Sequence, residues 1–188
     1  GAGDDTSNAG DGEDRISTGT GRDSVDGGAG NDSILGGDSV GGPETLSGGT
    51  GNDTINGGGG FDIVYGGDGT DIITDSGGSG SQDTIYAGAG ADNVDAGLAN
   101  DTLYGGEGSD RFNITDDHAS DTIFGGETGS DTDVISFSSF ATSEGVSVLA
   151  TGNEAGTYDY IGGGANGAGS FEGIESFRGT QFDDNFDL

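Results

Sequence analysis

Along most of the chain one apolar residue returns every nine positions, two residues after an acidic one. The acidic anchors are Asp5, Asp14, Asp23, Asp32, Glu44, Asp53, Asp62, Asp71, Asp83, Asp92, Asp101, Asp110, Asp121 and Asp133. The residues two further on are Ser7, Ile16, Val25, Ile34, Leu46, Ile55, Val64, Ile73, Ile85, Val94, Leu103, Phe112, Ile123 and Ile135. All but Ser7 are apolar and most are β-branched, which predicts one inward side chain on a very short strand per unit. One such strand buries too little to fold alone, whereas stacked turns build a continuous narrow core. The anchor spacings are 9, 9, 9, 12, 9, 9, 9, 12, 9, 9, 9, 11 and 12. With two units per turn, the lengthened loops before Glu44, Asp83 and Asp121 fall on one side of the coil. The long step into Asp133 marks the end of the regular array.

Glycines precede the anchors at offsets of four and two: Gly10 and Gly12, Gly19 and Gly21, Gly28 and Gly30, Gly49 and Gly51, Gly58 and Gly60, Gly67 and Gly69, Gly88 and Gly90, Gly106 and Gly108. Glycine there admits positive φ and lets several carbonyls aim at one point. Carbonyls with a carboxylate are hard oxygen ligands, and no His, Cys or Met takes part, which selects calcium over zinc or copper.

Composition sharpens this reading. The chain has 188 residues, 45 of them Gly, with 35 acids against four arginines and a formal charge of −31. At 28% hydrophobic content such a chain self-repels and stays unfolded unless something cationic folds it. The sign of the charge excludes ordinary nucleic-acid binding and docking on an anionic membrane. No apolar run spans a bilayer, and no basic-then-apolar leader opens the chain. Cysteine is absent, so metal rather than disulfides would staple the fold.

The units Gly27-Gly-Ala-Gly-Asn-Asp-Ser-Ile-Leu35, Gly48-Gly-Thr-Gly-Asn-Asp-Thr-Ile-Asn56 and Gly66-Gly-Asp-Gly-Thr-Asp-Ile-Ile-Thr74 resemble the RTX (repeats-in-toxin) nonapeptide, Gly-Gly-x-Gly-x-Asp-x-U-x. The resemblance covers roughly residues 1–136. It implies an all-β, right-handed parallel β-roll, a β-helix-like solenoid in which six residues of each unit turn and three form a strand. It also implies calcium between neighbouring turns, bound by anchor side chains and glycine-loop carbonyls. The anchors would stack as Asp5–Asp23–Glu44–Asp62–Asp83–Asp101–Asp121 and Asp14–Asp32–Asp53–Asp71–Asp92–Asp110–Asp133. Two stacks of seven leave at most about twelve gaps for a divalent ion, enough to offset roughly 24 of the negative charges. Glu44, Asp83 and Asp121 depart from the pattern through their longer loops, and Ala99 replaces the second glycine before Asp101.

Residues 137–178 do not fit the nonapeptide. Gly145 to Leu149 and Tyr158 to Ile161 predict two longer strands, and Gly162 to Ser170 a loop. This resembles an excursion that leaves an RTX roll and re-enters it at 179–188, with Asp184 as a further anchor and Phe186 as its core residue.

Three other features bear on function. Tyr65, Tyr86, Tyr104 and Phe124, three after their anchors, predict an outer aromatic column beside Thr45, Ile63, Thr84, Thr102 and Thr122, a possible ligand face for glycan or ice. His118, with Asp116 and Asp117 in a lengthened loop, lacks the spaced partners of a metal or acid–base site. The acid pairs Asp4–Asp5, Asp116–Asp117 and Asp183–Asp184 carry no acid–base reading, since such pairs arise readily among 35 acids and no apolar cleft is formed to raise a pKa.

The expected function is a non-catalytic, calcium-dependent structural module of a secreted or cell-surface bacterial protein. An adhesin or surface-layer component fits best, folding outside the cell after one-step (type I) export. The alternative is the carboxy-terminal RTX module of a secreted protease, lipase or cytolysin. Expected partners are calcium and further repeats, surface glycans or proteins.

Overall fold

The computed structural model describes residues 1–37, 42–76, 81–95, 97–115, 120–126, 131–137, 146–152, 154–160, 168–180 and 183–187. His118, Asp116, Asp117 and the insertions ahead of Glu44, Asp83 and Asp121 lie wholly or partly outside these residues, as does most of the 162–170 segment.

Every described regular element is a strand. They run β1 (Thr6–Asp11), β2 (Arg15–Ser17), β3 (Ser24–Ala29), β4 (Ser33–Leu35), β5 (Thr45–Thr50), β6 (Thr54–Asn56), β7 (Ile63–Asp68), β8 (Ile72–Thr74), β9 (Thr84–Ala89) and β10 (Asn93–Asp95). There follow β11 (Thr102–Glu107), β12 (Arg111–Asn113), β13 (Thr122–Gly126), β14 (Val134–Ser136), β15 (Val146–Gly152), β16 (Ala155–Tyr160), β17 (Gly169–Glu172), β18 (Ser176–Arg178) and β19 (Asn185–Asp187). The odd strands β1 to β13 pair in parallel in one sheet, and the even strands β2 to β14 in a second. The chain therefore alternates between two sheets, as two units per turn demand.

Register carries the nine-residue period into a core. Val25, Leu46, Val64, Ile85, Leu103 and Ile123 align across the first sheet. Ile16, Ile34, Ile55, Ile73, Val94, Phe112 and Ile135 align across the second. From Val25 onward these side chains are at most 4% exposed, while Ile16 is only partly buried at the open end. The strands of the first sheet are longer than the three residues expected. Their pairing runs on through the glycine turn, with Gly49 opposite Gly67 and Thr50 opposite Asp68.

The exit and return differ from the expected boundaries. Phe137 is buried in the core. β17 pairs with β13 and β18 with β14, setting Phe171 beside Ile123 and Phe177 beside Ile135. The roll thus resumes at 169–178 rather than at 179–188. β15 and β16 form an antiparallel pair outside β17, and β19 adds to the far side of β15. With the hairpin occupying that edge, Phe186 does not extend either core column.

A Cβ at Gly49 would stand 2.0 Å from the Gly28 carbonyl, at φ 109°. That contact cannot relax, because the opposing atom is backbone of the preceding turn. Truncating a central core residue should cost about 2–4 kcal/mol. Ile55→Ala should show this loss as a lowered denaturation midpoint in saturating calcium, whereas Leu35→Ala on the exposed face should change little.

Candidate metal-binding columns

Outside the lengthened loops each anchor follows a tight turn built on glycine, with Ala99 standing in before Asp101, and opens a short strand, so its backbone is fixed on both sides. All sixteen glycines singled out in the loops adopt positive φ. Ala99 takes φ 126° in the same role, a conformation that costs a side-chain-bearing residue about 1–3 kcal/mol.

The turns bring the anchors into the two expected columns through one repeated hydrogen bond. At every step but Asp23 to Glu44, the N–H of an anchor donates to Oδ1 of the anchor one turn on. In the second column Asp14 donates to Asp32 at 2.8 Å, Asp32 to Asp53 at 2.7 Å, Asp53 to Asp71 at 2.8 Å, Asp71 to Asp92 at 2.8 Å, Asp92 to Asp110 at 2.9 Å and Asp110 to Asp133 at 2.8 Å. In the first, Asp5 donates to Asp23, Glu44 to Asp62, Asp62 to Asp83 and Asp83 to Asp101, each at 2.7 Å, and Asp101 to Asp121 at 3.0 Å.

The other carboxylate oxygen is the informative one. Oδ2 of Asp14, Asp23, Asp32, Asp53, Asp62, Asp71, Asp83, Asp92, Asp101 and Asp110 is buried with no hydrogen-bond partner. A buried, ionised acceptor without a partner is strongly unfavourable, so a file of them marks missing positive charge. Small residues keep space in front of these oxygens. A Cβ at Gly48 would lie 2.3 Å from Asp53 Oδ2, and one at Gly66 2.6 Å from Asp71 Oδ2. The donor set, carboxylate oxygens with glycine-turn carbonyls, fits calcium. Among the described residues no three acidic or imidazole side chains converge into a conventional cage. That is the geometry expected when backbone carbonyls supply part of the ligand sphere.

Burial raises the acid pKa values, with like charges adding and the backbone N–H bond opposing. Asp101 and Asp110 are pushed up to about 8. Asp62, Asp71 and Asp133 rise to about 6. Asp53 and Asp92 also rise, each chiefly through desolvation.

Several positions depart from the repeat. The Glu44 carboxylate accepts from the Gly37 N–H at 3.0 and 3.1 Å and from the Thr18 hydroxyl at 3.1 Å. It therefore satisfies itself within the chain instead of receiving the Asp23 N–H. At the far end of that column the buried Tyr158 hydroxyl donates to Asp121 Oδ2 at 3.2 Å. The second column gains a member that the sequence reading missed, since the Asp133 N–H donates to Glu175 Oε2 at 2.6 Å. Gly173-x-Glu175-x-Phe177 repeats the anchor grammar with Glu in place of Asp, which is the signal that was available. The Asp184 carboxylate stands against Gly179 as regular anchors stand against their glycines, but the strand it opens pairs with β15 and not with β17. Asp184 precedes β19 at the hairpin edge and accepts from the Thr180 hydroxyl at 2.8 Å.

The aromatic column is also assembled. Tyr65, Tyr86, Tyr104 and Phe124 stack with centroids 5.1, 4.8 and 4.9 Å apart and planes within 9°. The rings turn their faces to one another and present edges outward.

A family model for the RTX calcium-binding nonapeptide repeat (4 copies) matches residues 8–40, 38–73 and 77–112, more than half of the chain. No match was found among curated proteins or among solved structures.

The raised acid pKa values fix the sign of a pH effect. The metal-free fold retains protons that the unfolded chain has lost above the ordinary carboxylate range, so its stability falls as pH rises through about 6 to 8. In chelator, circular dichroism should therefore show more β-structure at pH 5 than at pH 8, and calcium uptake near neutrality should release protons. Ala99→Gly should stabilise the calcium-loaded chain by about 1 kcal/mol, read from its denaturation midpoint.

Proposed function

The chain belongs to the RTX calcium-binding nonapeptide repeat family, and from that premise we propose that it serves as a calcium-set, load-bearing structural module of an adhesin or surface-layer type of protein. Calcium binding is the family's property, and proteins built on these repeats are typically exported. The observation that supports the structural role is the file of buried carboxylate oxygens with no partner. In each regular gap the anchor carboxylates of successive turns, with carbonyls of the glycine turns, would hold the ion. The ion supplies the positive charge that these oxygens lack.

The chain's own residues do the rest. The anchor N–H bonds set the rise between turns, and the glycine turns hold carbonyls and carboxylate together. The apolar columns close the inside once the turns stack. In this reading the carboxylates are committed to structure, and the described residues carry no chemical step. Glu44 and Asp121 are already served by Gly37, Thr18 and Tyr158. The number of ions is accordingly below the twelve or so gaps, roughly ten. At low calcium the unfolded acidic chain repels itself, a state suited to passage through an export channel. Outside the cell, ions that bind only the folded form stabilise it by mass action.

The load-bearing role is tested by pulling the chain from its two ends. Loaded with calcium it should give discrete unfolding events, and in chelator it should extend smoothly with none. Indistinguishable traces in the two conditions would sink the mechanical role.

A further inference from the structure

A Cβ on Gly27, Gly48, Gly66, Gly105 or Gly125, each the fourth residue after an anchor, would stand 2.3–2.6 Å from Oδ2 of the next, second-column anchor, and the sequence keeps that slot small throughout this column, from Ala9 to Gly125. The first column breaks this rule at Thr18, Asp75 and Ile114. Thr18 bonds Glu44 and Ile114 is buried core, so neither adds a charged ligand. Asp75 does the opposite by adding an acid where the repeat has glycine or alanine.

The Asp75 side chain is buried at 8% exposure and points along the column. A Cβ on Gly57, one turn back, would stand 2.8 Å from Asp75 Oδ1, and one on Gly97, one turn on, 3.7 Å from Asp75 Oδ2. The Asp75 carboxyl lies beside that of Asp83, which is itself 3% exposed and whose Oδ2 is buried without a hydrogen-bond partner. Two ionised carboxylates are both acceptors, so a buried pair in contact holds either a proton or a cation between its oxygens. On either side along the column stand the partnerless Oδ2 atoms of Asp62 and Asp101.

Resting on the calcium reading above, we propose that Asp75 is a calcium ligand the repeat does not supply, and that the position it shares with Asp83 is the one the chain fills first. Calcium affinity rises with the number of charged ligands, and the effect is strongest where water is excluded. The position also lies well inside the array, with β7 and β11 flanking β9 in the first sheet. In a stack stabilised by nearest neighbours, a turn ordered there templates the turns on both sides.

The test is a calcium titration of the whole chain against a competing chelator, with far-UV circular dichroism at saturation. The wild type should bind its first ion roughly tenfold more tightly than the next class. Asp75→Gly, which restores the repeat residue, should lose that class and still fold at saturating calcium. Asp75→Asn, which keeps the volume, should lose it too. Asp26→Asn, an exposed outer-face control for simple charge removal, should retain it. If Asp75→Gly or Asp75→Asn keeps the tight class, or binds more tightly, the pair only holds a proton and the proposal falls. A wild type that binds calcium without a tight first class overturns it as well. A wild type that takes up no calcium overturns both this proposal and the calcium reading beneath it.

Discussion

Every regular turn of this protein rests on one carboxylate that is buried, bonded through one oxygen to the preceding turn and left without a partner at the other. The first oxygen sets the spacing, because the anchor N–H can reach it only when successive turns lie in register. The second sets the condition for folding. A column of such oxygens repels itself in a chain already at −31, and only protons or cations relieve it. The core is too thin to override this. Each regular unit contributes little more than one apolar side chain to it, and two of the six residues of a long first-sheet strand such as β5 are glycine. Fold and ligand are therefore one problem, as in other domains whose metal-binding free energy is folding free energy.

The departures from the repeat gather where the ends and the interruptions must be managed. Glu44 and Tyr158 quench the first column with the chain's own donors, one within the array and one at its far end. Glu175 prolongs the second column after the excursion, so a residue 42 positions along the chain receives the Asp133 N–H. Phe171 and Phe177 then carry both core columns one turn further, with their rings 4.9 Å apart. The hairpin of β15 and β16 stands on the edge that this last turn would otherwise expose, a position where an unpaired strand invites association.

The regular part of this architecture was legible in the sequence because its period is written in three residue types at once. Asp, Gly and a β-branched residue at fixed offsets gave the two anchor columns, the core ladders and the aromatic stack with the pairing that the structure shows. The same grammar failed where it was met only in part. Asp184 satisfied the anchor spacing, yet β19 is claimed by β15, a pairing set by a hairpin rather than by the repeat. Glu175 was passed over because a Glu among irregular neighbours carries little local signal. Tyr158 read as an ordinary strand residue, and nothing near it in the chain says that its hydroxyl meets Asp121. Asp75 was visible as an acid in a glycine slot, but the slot's meaning depends on which carboxylate lies opposite.

The most direct test of the account is a calcium titration of the metal-free chain at neutral pH, followed by far-UV circular dichroism. The account predicts a cooperative coil-to-β transition that chelator reverses and magnesium does not reproduce. A chain already folded in chelator, or one still disordered at millimolar calcium, would contradict it.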